Sequence, residues 1–189
     1  MKLLAISGSL RKGSFNKQLL ARATVLLEKA GAEVESVDLR ALALPFYDGD
    51  LEAGSGVPQA AQDLARLVHG AAGLVIASPE YNFGVPAIVK NAIDWLSRVK
   101  PMPLRGKTAL LLSASMGLVG GNRGLWSLRV PLEVLGVHVQ PDMFSLASAH
   151  QAFAEDGGLR DELLEKLLGR MVDSYLRVTE ALSSAGKKS

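Results

Sequence analysis

Residues 7–16 read Ser-Gly-Ser-Leu-Arg-Lys-Gly-Ser-Phe-Asn, a segment whose side chains suit the capture of an anion. A short apolar run, Leu3 to Ile6, precedes it, and a helical pattern starts near Asn16. A polar loop leading from a strand into a helix meets the helix's unpaired first N–H groups and the positive end of its dipole. Ser9, Ser14 and Asn16 add neutral donors, while Arg11 and Lys12 add positive charge. That combination suits a phosphate monoester dianion; the plain alternative is a solvated turn with a serine cap. The dinucleotide fingerprint G-x-G-x-x-G fails, because Leu10 stands where its middle glycine belongs. The P-loop G-x-x-x-x-G-K-[ST] also fails, because Ser14 and Phe15 follow Gly13. Without that lysine nothing reaches a β- or γ-phosphate, which argues against nucleotide triphosphate hydrolysis.

Two further loops carry unusual chemistry. Residues 78–86 read Ser-Pro-Glu-Tyr-Asn-Phe-Gly-Val-Pro, with prolines that restrict the backbone at both ends. Held in a fixed curve, the amides of 80–83 suit the polar edge of a flat heteroaromatic ring, with Tyr81 or Phe83 packing nearby. A rigid turn with a core tyrosine is the alternative. Residues 113–122 supply Ser113, Ser115, Gly117, Gly120 and Gly121, small enough for a planar ligand to lie against the backbone. Glycine-rich stretches are also found in plain flexible loops.

Strand-length apolar runs alternate with helical patterns, and that alternation predicts a parallel sheet covered on both faces. Strands are expected at 2–7, 33–37, 74–77, 107–113 and 137–139. Helices are expected at 16–30, 58–69, 87–99, 123–135 (with Pro131 as a kink) and 160–183. In the last, Leu163, Leu164, Leu167, Leu168, Met171, Val172, Tyr175 and Leu176 fall at core spacing. Residues 39–57 read as a long connection, and such connections are more often functional or interfacial than idle. Five strands and five helices fit a flavodoxin-like, three-layer α/β doubly wound sandwich with strand order 2-1-3-4-5. Ligands of such sheets sit beyond the C-terminal strand edge where the order reverses. The loops after strands one, three and four all emerge there, so they are expected to share one ligand.

Composition narrows the function classes. The chain has 189 residues, 48% of them hydrophobic and 21% charged, which predicts one globular domain over 1–184 and a frayed tail at 185–189. No apolar stretch nears the roughly 18 residues that a spanning helix needs, so no membrane partner is expected. The absence of a charged-then-apolar leader predicts a cytoplasmic protein. With no cysteine, disulfides, thiolate nucleophiles and iron–sulfur clusters are excluded. His69, His138 and His150 lie far apart, so no metal site is expected. A net charge of +2 without a basic stripe argues against nucleic acid.

Residues 8–16, residues 78–82 with Val85-Pro86, residues 90–97 (Lys-Asn-Ala-Ile-Asp-Trp-Leu-Ser), and Ser115-Met116-Gly117 with Gly120-Gly121 together resemble the signatures of the NAD(P)H-dependent FMN reductase family. The likeness runs in order and spacing from residue 2 to about residue 140. It is nearest to the family's bacterial FMN-dependent NAD(P)H:quinone reductases, also called chromate reductases. The resemblance implies FMN as cofactor and NAD(P)H as co-substrate. It implies Ser9, Arg11, Ser14, Phe15 and Asn16 around the FMN phosphate. It implies Pro79, Glu80, Tyr81 and Asn82 along the ring and ribityl chain, and Ser115 and Gly117 near the ring. It also implies a homodimer or homotetramer with the flavin pocket near a subunit boundary; Trp95 or Trp126 is the expected anchor, with core packing equally open for Trp95.

The activity so implied is a two-electron, ping-pong reduction of a small-molecule acceptor, a quinone foremost, with azo, nitro, flavin and chromate acceptors open. No catalytic side chain is named, since the cofactor carries the chemistry. Lys90 and Asp94 read as structural or solvent-facing. Two other classes compete. A flavodoxin-type electron carrier would ordinarily be strongly acidic, unlike this chain. A non-enzymatic binding module such as a phosphoacceptor domain would place acidic residues where Ser7 to Ser9 stand.

Overall fold

In the computed structural model, which describes residues 1–185, the strands are β1 (Lys2–Ser7), β2 (Glu33–Val37), β3 (Gly73–Ala77), β4 (Thr108–Ala114), β5 (His138–Val139) and β6 (Phe144–Leu146). The helices are α1 (Phe15–Lys29), α2 (Leu39–Leu42), α3 (Gly49–Ser55), α4 (Gln59–Gly70), α5 (Ala87–Leu96), α6 (Asn122–Val134), α7 (Ala149–Ala152) and α8 (Glu162–Ala185). The sheet is parallel throughout, in the order β2-β1-β3-β4-β5, with β6 also on β4.

Alternation along each strand sorts the core into two layers. Leu4, Ile6, Leu74, Ile76, Ala109 and Leu111 face α4, α5 and α6, whereas Leu3, Ala5, Val75, Ala77, Leu110 and Leu112 face α1 and α8. β3 and β4 are buried along their whole length, as central parallel strands must be. β2 is an edge strand and is only half-buried.

Several details differ from the sequence expectation. The fifth sheet position is shared by two short strands. β5 pairs Thr108 and Ala109 of β4, and β6 pairs Leu112 to Ala114. The 39–57 connection is not irregular; it holds α2 and α3, each started by an aspartate, Asp38 and Asp48, whose side chain accepts a main-chain N–H two residues on. On α8, Leu168, Met171, Val172 and Tyr175 are buried and Leu164 packs against the same cluster, but Leu163 and Leu167, one position earlier in each turn, are exposed. The expected tail at 185–189 lies outside the described residues except for Ala185, which ends α8. Among the described residues, no helix is long and apolar enough to cross a membrane, and no cluster of His, Asp and Glu could hold a metal.

Candidate functional site

The loop after β1 folds back onto β3 before entering α1. Gly8 donates its N–H to Ala77 O at 2.8 Å, and an added Cβ there would come within 2.6 Å of Val89 Cγ2. Only glycine lets the chain pass so close to α5. Ser14 then caps α1, its Oγ accepting from Asn16 N–H at 3.2 Å. The main-chain N–H groups of residues 10–15, at and before the start of α1, find no acceptor among the described residues. Arg11 and Lys12 are exposed above them, with the Arg11 guanidinium 5.4 Å from the Phe15 ring centroid. Ser9 is buried, donating its N–H to Ser7 Oγ.

Asn16 serves a different purpose from the other polar groups of this loop. Its Nδ2 donates to Ala114 O at 2.8 Å and its Oδ1 accepts from Ala114 N–H at 3.0 Å. Both ends of the buried amide are therefore spent on the end of β4. They tie the first loop to the third.

The loop after β3 is a tight turn. Tyr81 and Gly84 exchange main-chain hydrogen bonds of 3.2 and 3.0 Å, and Asn82 and Phe83 between them adopt left-handed φ values of 51° and 66°. A bulky residue in that region is strained and persists only where its surroundings hold it. The turn uses the N–H of Tyr81 but leaves those of Glu80, Asn82 and Phe83 without an acceptor among the described residues. Pro79 is buried, while Tyr81, Asn82 and Phe83 are exposed at the mouth. The Glu80 side chain points away from the mouth, onto the start of α6. Its Oε1 accepts from Arg123 Nε at 3.0 Å and its Oε2 from Gly124 N–H at 3.1 Å. Burial pushes the Glu80 carboxyl up, but the hydrogen bonds from Arg123 and Gly124 and the Arg123 charge outweigh it, and the net shift is downward.

The third loop starts with Ser115, whose Oγ accepts from Gly117 N–H at 3.2 Å. Beyond it, Gly120 and Gly121 take left-handed φ values of 62° and 88° and lie against β6 and Ser113, where side chains would not fit. Gly117 itself has only the Ser115 hydroxyl nearby and is exposed, so its backbone is open to a flat ligand.

Ser9, Arg11, Ser14, Phe15, Pro79, Glu80, Tyr81, Asn82, Ser115 and Gly117 thus lie on three loops at one sheet edge, bound to each other through Gly8, Asn16 and Glu80. Arg123 and Gly124 belong to this assembly too. Their sequence signal is the Gly121-Asn122-Arg123-Gly124 start of α6, a helix without a capping side chain of its own. Residues 90–97 act elsewhere. Asn91 Nδ2 and Trp95 Nε1 both donate to Pro45 O at 2.8 Å, Asn91 Oδ1 accepts from Tyr47 N–H, and Lys90 pairs with Asp94 on the surface. The donor set suits a mononucleotide with a planar ring: a capped helix end and cations for phosphate, fixed amides for a polar ring edge, and bare backbone for the flat face.

The family described as NADPH-dependent FMN reductase matches residues 1–151 of the chain. The quinone reductase of Escherichia coli (strain K12) is 37% identical over 174 residues, covering 90% of this chain and 92% of its own. The NAD(P)H-dependent FMN reductase of Pseudomonas aeruginosa is 36% identical over 176 residues, covering 92% of each. Among solved structures, the flavoenzyme NAD(P)H:(acceptor) oxidoreductase FerB from Paracoccus denitrificans superposes with a TM-score of 0.83 at 28% identity, over 95% of this chain and 97% of that one.

Proposed function

The chain belongs to the NADPH-dependent FMN reductase family, and from that premise we propose that it is an FMN-dependent oxidoreductase taking electrons from NAD(P)H and delivering them in pairs to a quinone. The observation that carries this reading is the convergence of three braced loops on one sheet edge with a free, capped helix N-terminus beneath them. FMN bound there would supply hydride acceptance and two-electron delivery. Residues 1–184 act as one FMN-binding unit in this reading, and the cytoplasm is its setting.

The chain's own residues bind and orient. Arg11, with the N–H groups of residues 10–15, compensates the phosphate charge, and Ser9, Ser14 and Phe15 shape that pocket. Asn16 holds the pocket's far wall to β4 through Ala114. Pro79, Glu80, Tyr81 and Asn82 present the ring-edge donors, with Glu80 acting through its main-chain N–H. Ser115 and Gly117 flank the ring. One open mouth, bordered by the exposed Tyr81, Phe83 and Met116, serves donor and acceptor in turn. The oxidised nicotinamide must leave before the quinone enters, which gives ping-pong kinetics.

The test is direct. Apoprotein titrated with FMN should quench flavin fluorescence at one equivalent, and initial rates against NADH or NADPH at several quinone concentrations should give parallel double-reciprocal lines. Lack of FMN binding would end the proposal; intersecting lines would end the shared-mouth account.

The protein assembles as a homodimer or homotetramer in this reading. On α6, Trp126, Val130 and Val134 recur every fourth residue and are 58, 63 and 78% exposed, an apolar stripe suited to a second copy. Trp95 takes no part, since it is fully buried beneath Pro45. A particle of 20.0 kDa by light scattering at micromolar concentration would reject the assembly.

A further inference from the structure

The start of α6 lacks the side-chain cap that a buried helix end needs. Gly121 at its N-cap has no side chain; the Asn122 N–H reaches Val119 O at 3.1 Å, but those of Arg123 and Gly124 find no main-chain acceptor among the described residues. The missing acceptor comes from a residue 44 positions earlier: Glu80 Oε2 receives the Gly124 N–H. A carboxylate at this end is also favoured by the helix dipole. The other oxygen, Oε1, is held by Arg123, whose Nη2 lies 2.8 Å away. The Glu80 side chain is 10% exposed and that of Arg123 46%, so the pair straddles the surface with the acid on the inside.

The backbone has been shaped around this contact. A Cβ on Gly124 would stand 3.0 Å from both Cα and Cβ of Glu80, and one on Gly121 would meet Ser113 and the Glu80 Cβ. Two glycines thus let Glu80 lie flat on the helix start. Arg123 does a second thing from the same position. Its guanidinium carbon sits 3.7 Å from the centroid of Phe83, the strained left-handed residue of the turn. One glutamate and one arginine therefore grip the 80–84 turn at both ends, at its first residue and at its fourth.

We propose that Glu80 is a positioning residue: with Arg123 it clamps the 80–84 turn to the N-terminus of α6, so that the free amides of Glu80, Asn82 and Phe83 form a fixed edge for the flavin ring. This rests on the FMN reading above. A loop preorganised in its bound shape pays less ordering cost when the ligand arrives, so the clamp should register in cofactor affinity. It also links the second site loop to the third, since α6 begins where the loop after β4 ends.

The experiment compares the full-length parent chain with Glu80→Gln, Arg123→Met and the double variant, using FMN itself as the probe. Glu80→Gln keeps the shape and one acceptor for Gly124 N–H but loses the charge. Arg123→Met keeps apolar cover on Phe83 but loses both the charge and the fork. Each single variant should weaken FMN binding roughly tenfold, by the usual cost of a charge-assisted hydrogen bond, and alter the visible circular dichroism of the bound flavin. Because the two residues act as one device, the double variant should bind no worse than the weaker single variant. In the FMN-free protein, hydrogen exchange at the Gly84 amide, which is bonded to Tyr81 O, should quicken in all three. Arg123→Lys, which keeps the cation, should recover part of the loss. Unchanged FMN affinity in the singles, or additive losses in the double, would overturn the clamp while the parent still bound FMN. Failure of the parent to bind FMN would sink the functional reading itself.

Discussion

The chain uses one grouping of side chains twice, and the two copies are not equivalent. At the site edge, Glu80, Arg123 and Phe83 join the turn after β3 to α6. On the α5 side, Glu52, Arg98 and Tyr47 join the connection after β2 to the end of α5. There Arg98 Nε lies 2.9 Å from both Glu52 oxygens, Tyr47 Oη donates to Glu52 Oε2 at 3.0 Å, and the guanidinium carbon is 5.8 Å from the Tyr47 ring. Both arginines are 46% exposed. The difference lies in what each pair leaves behind when broken. Losing Glu80 orphans a part-buried helix N–H and frees a strained turn. Losing Glu52 exposes groups that water can serve at once. Moreover, the 45–47 backbone is already pinned from below by Asn91 and Trp95. The same ion pair is therefore a fastening in one region and a redundant surface contact in the other.

The largest effect that separates the regions should come from Trp95→Ala. The ring is fully buried, packs edge-on to Tyr47 at 5.1 Å between centroids, and donates to Pro45 O. Removing such a side chain costs about 3–5 kcal/mol, which lowers the melting temperature by on the order of 10 °C in a chain of this size. The FMN dissociation constant of the folded protein should move less than threefold. A loss of affinity as large as that of Glu80→Gln would show that the α5-side cluster also supports the site.

Arg11→Ala comes next, and it probes the site from the phosphate side. Removing a charged hydrogen-bond donor costs about 1.5–3 kcal/mol, so FMN binding should fall about tenfold to a hundredfold with the melting temperature of the FMN-free protein unchanged. Titration at low salt measures it. An unaltered dissociation constant would remove Arg11 from the phosphate pocket and leave the free amides of 10–15 as its whole anion site.

The alternation of strand-length runs with helical patterns was enough to place the parallel sheet and its order. Burial on both faces makes β3 and β4 continuous apolar runs, while the half-buried edge strand β2 at 33–37 shows only as Val34 and Val37 among polar residues after the Gly31 stop. Ser14 as a cap and the two prolines around the second loop were legible for the same local reason. What escaped is non-local or very short. β6 has three residues, too few for any periodicity to register. Asn16 looks like a ligand in sequence, yet Ala114, 98 residues away, takes both of its hydrogen bonds. Glu80 is spent in the same way on Arg123 and Gly124. In the last helix, Leu163 and Leu167 satisfied the helical period as well as Leu164 and Leu168 do, but the period allows a stripe wider than the face that the core covers. Polar residues that brace loops and polar residues that bind ligands have the same sequence signature; only their partners tell them apart.

Acid should distinguish the two glutamates more gently than the substitutions above. The Glu80 carboxyl is pushed up by burial but drawn down further by Arg123 and the Gly124 N–H, so it sits below its ordinary value of 4.5 in the folded protein. A group with a lowered folded pKa contributes in full above its ordinary value, and that contribution is lost as pH falls through the lowered one. FMN release below about pH 4.5 should therefore be steeper in the parent than in Glu80→Gln, which has no proton to bind. Glu52 is also lowered, chiefly by its hydrogen bond to Arg98, yet Glu52→Gln should leave the FMN release curve where it is. Equal shifts from both substitutions would mean that the proton acts on general stability and not on the clamp.

The smallest expected effect is the one on which the comparison finally turns. Glu52→Gln breaks an exposed ion pair, for which about 0–1 kcal/mol is usual, and the amide can still accept from Tyr47 Oη and Arg98. Its denaturation midpoint should stay within about 0.5 kcal/mol of the parent, and the small difference should vanish as salt is raised toward 1 M, where screening shortens to about 3 Å. The Glu80→Gln loss should survive the same salt, because the charge it removes is only 10% exposed and partly buried pairs are screened far less than exposed ones. Chemical denaturation of the FMN-free proteins at low and high salt measures both. Should salt erase the Glu80 effect as well, the two clusters are one kind of surface contact, and the rigidity of the 80–84 turn must come from Pro79, Pro86 and the Tyr81–Gly84 hydrogen bonds alone.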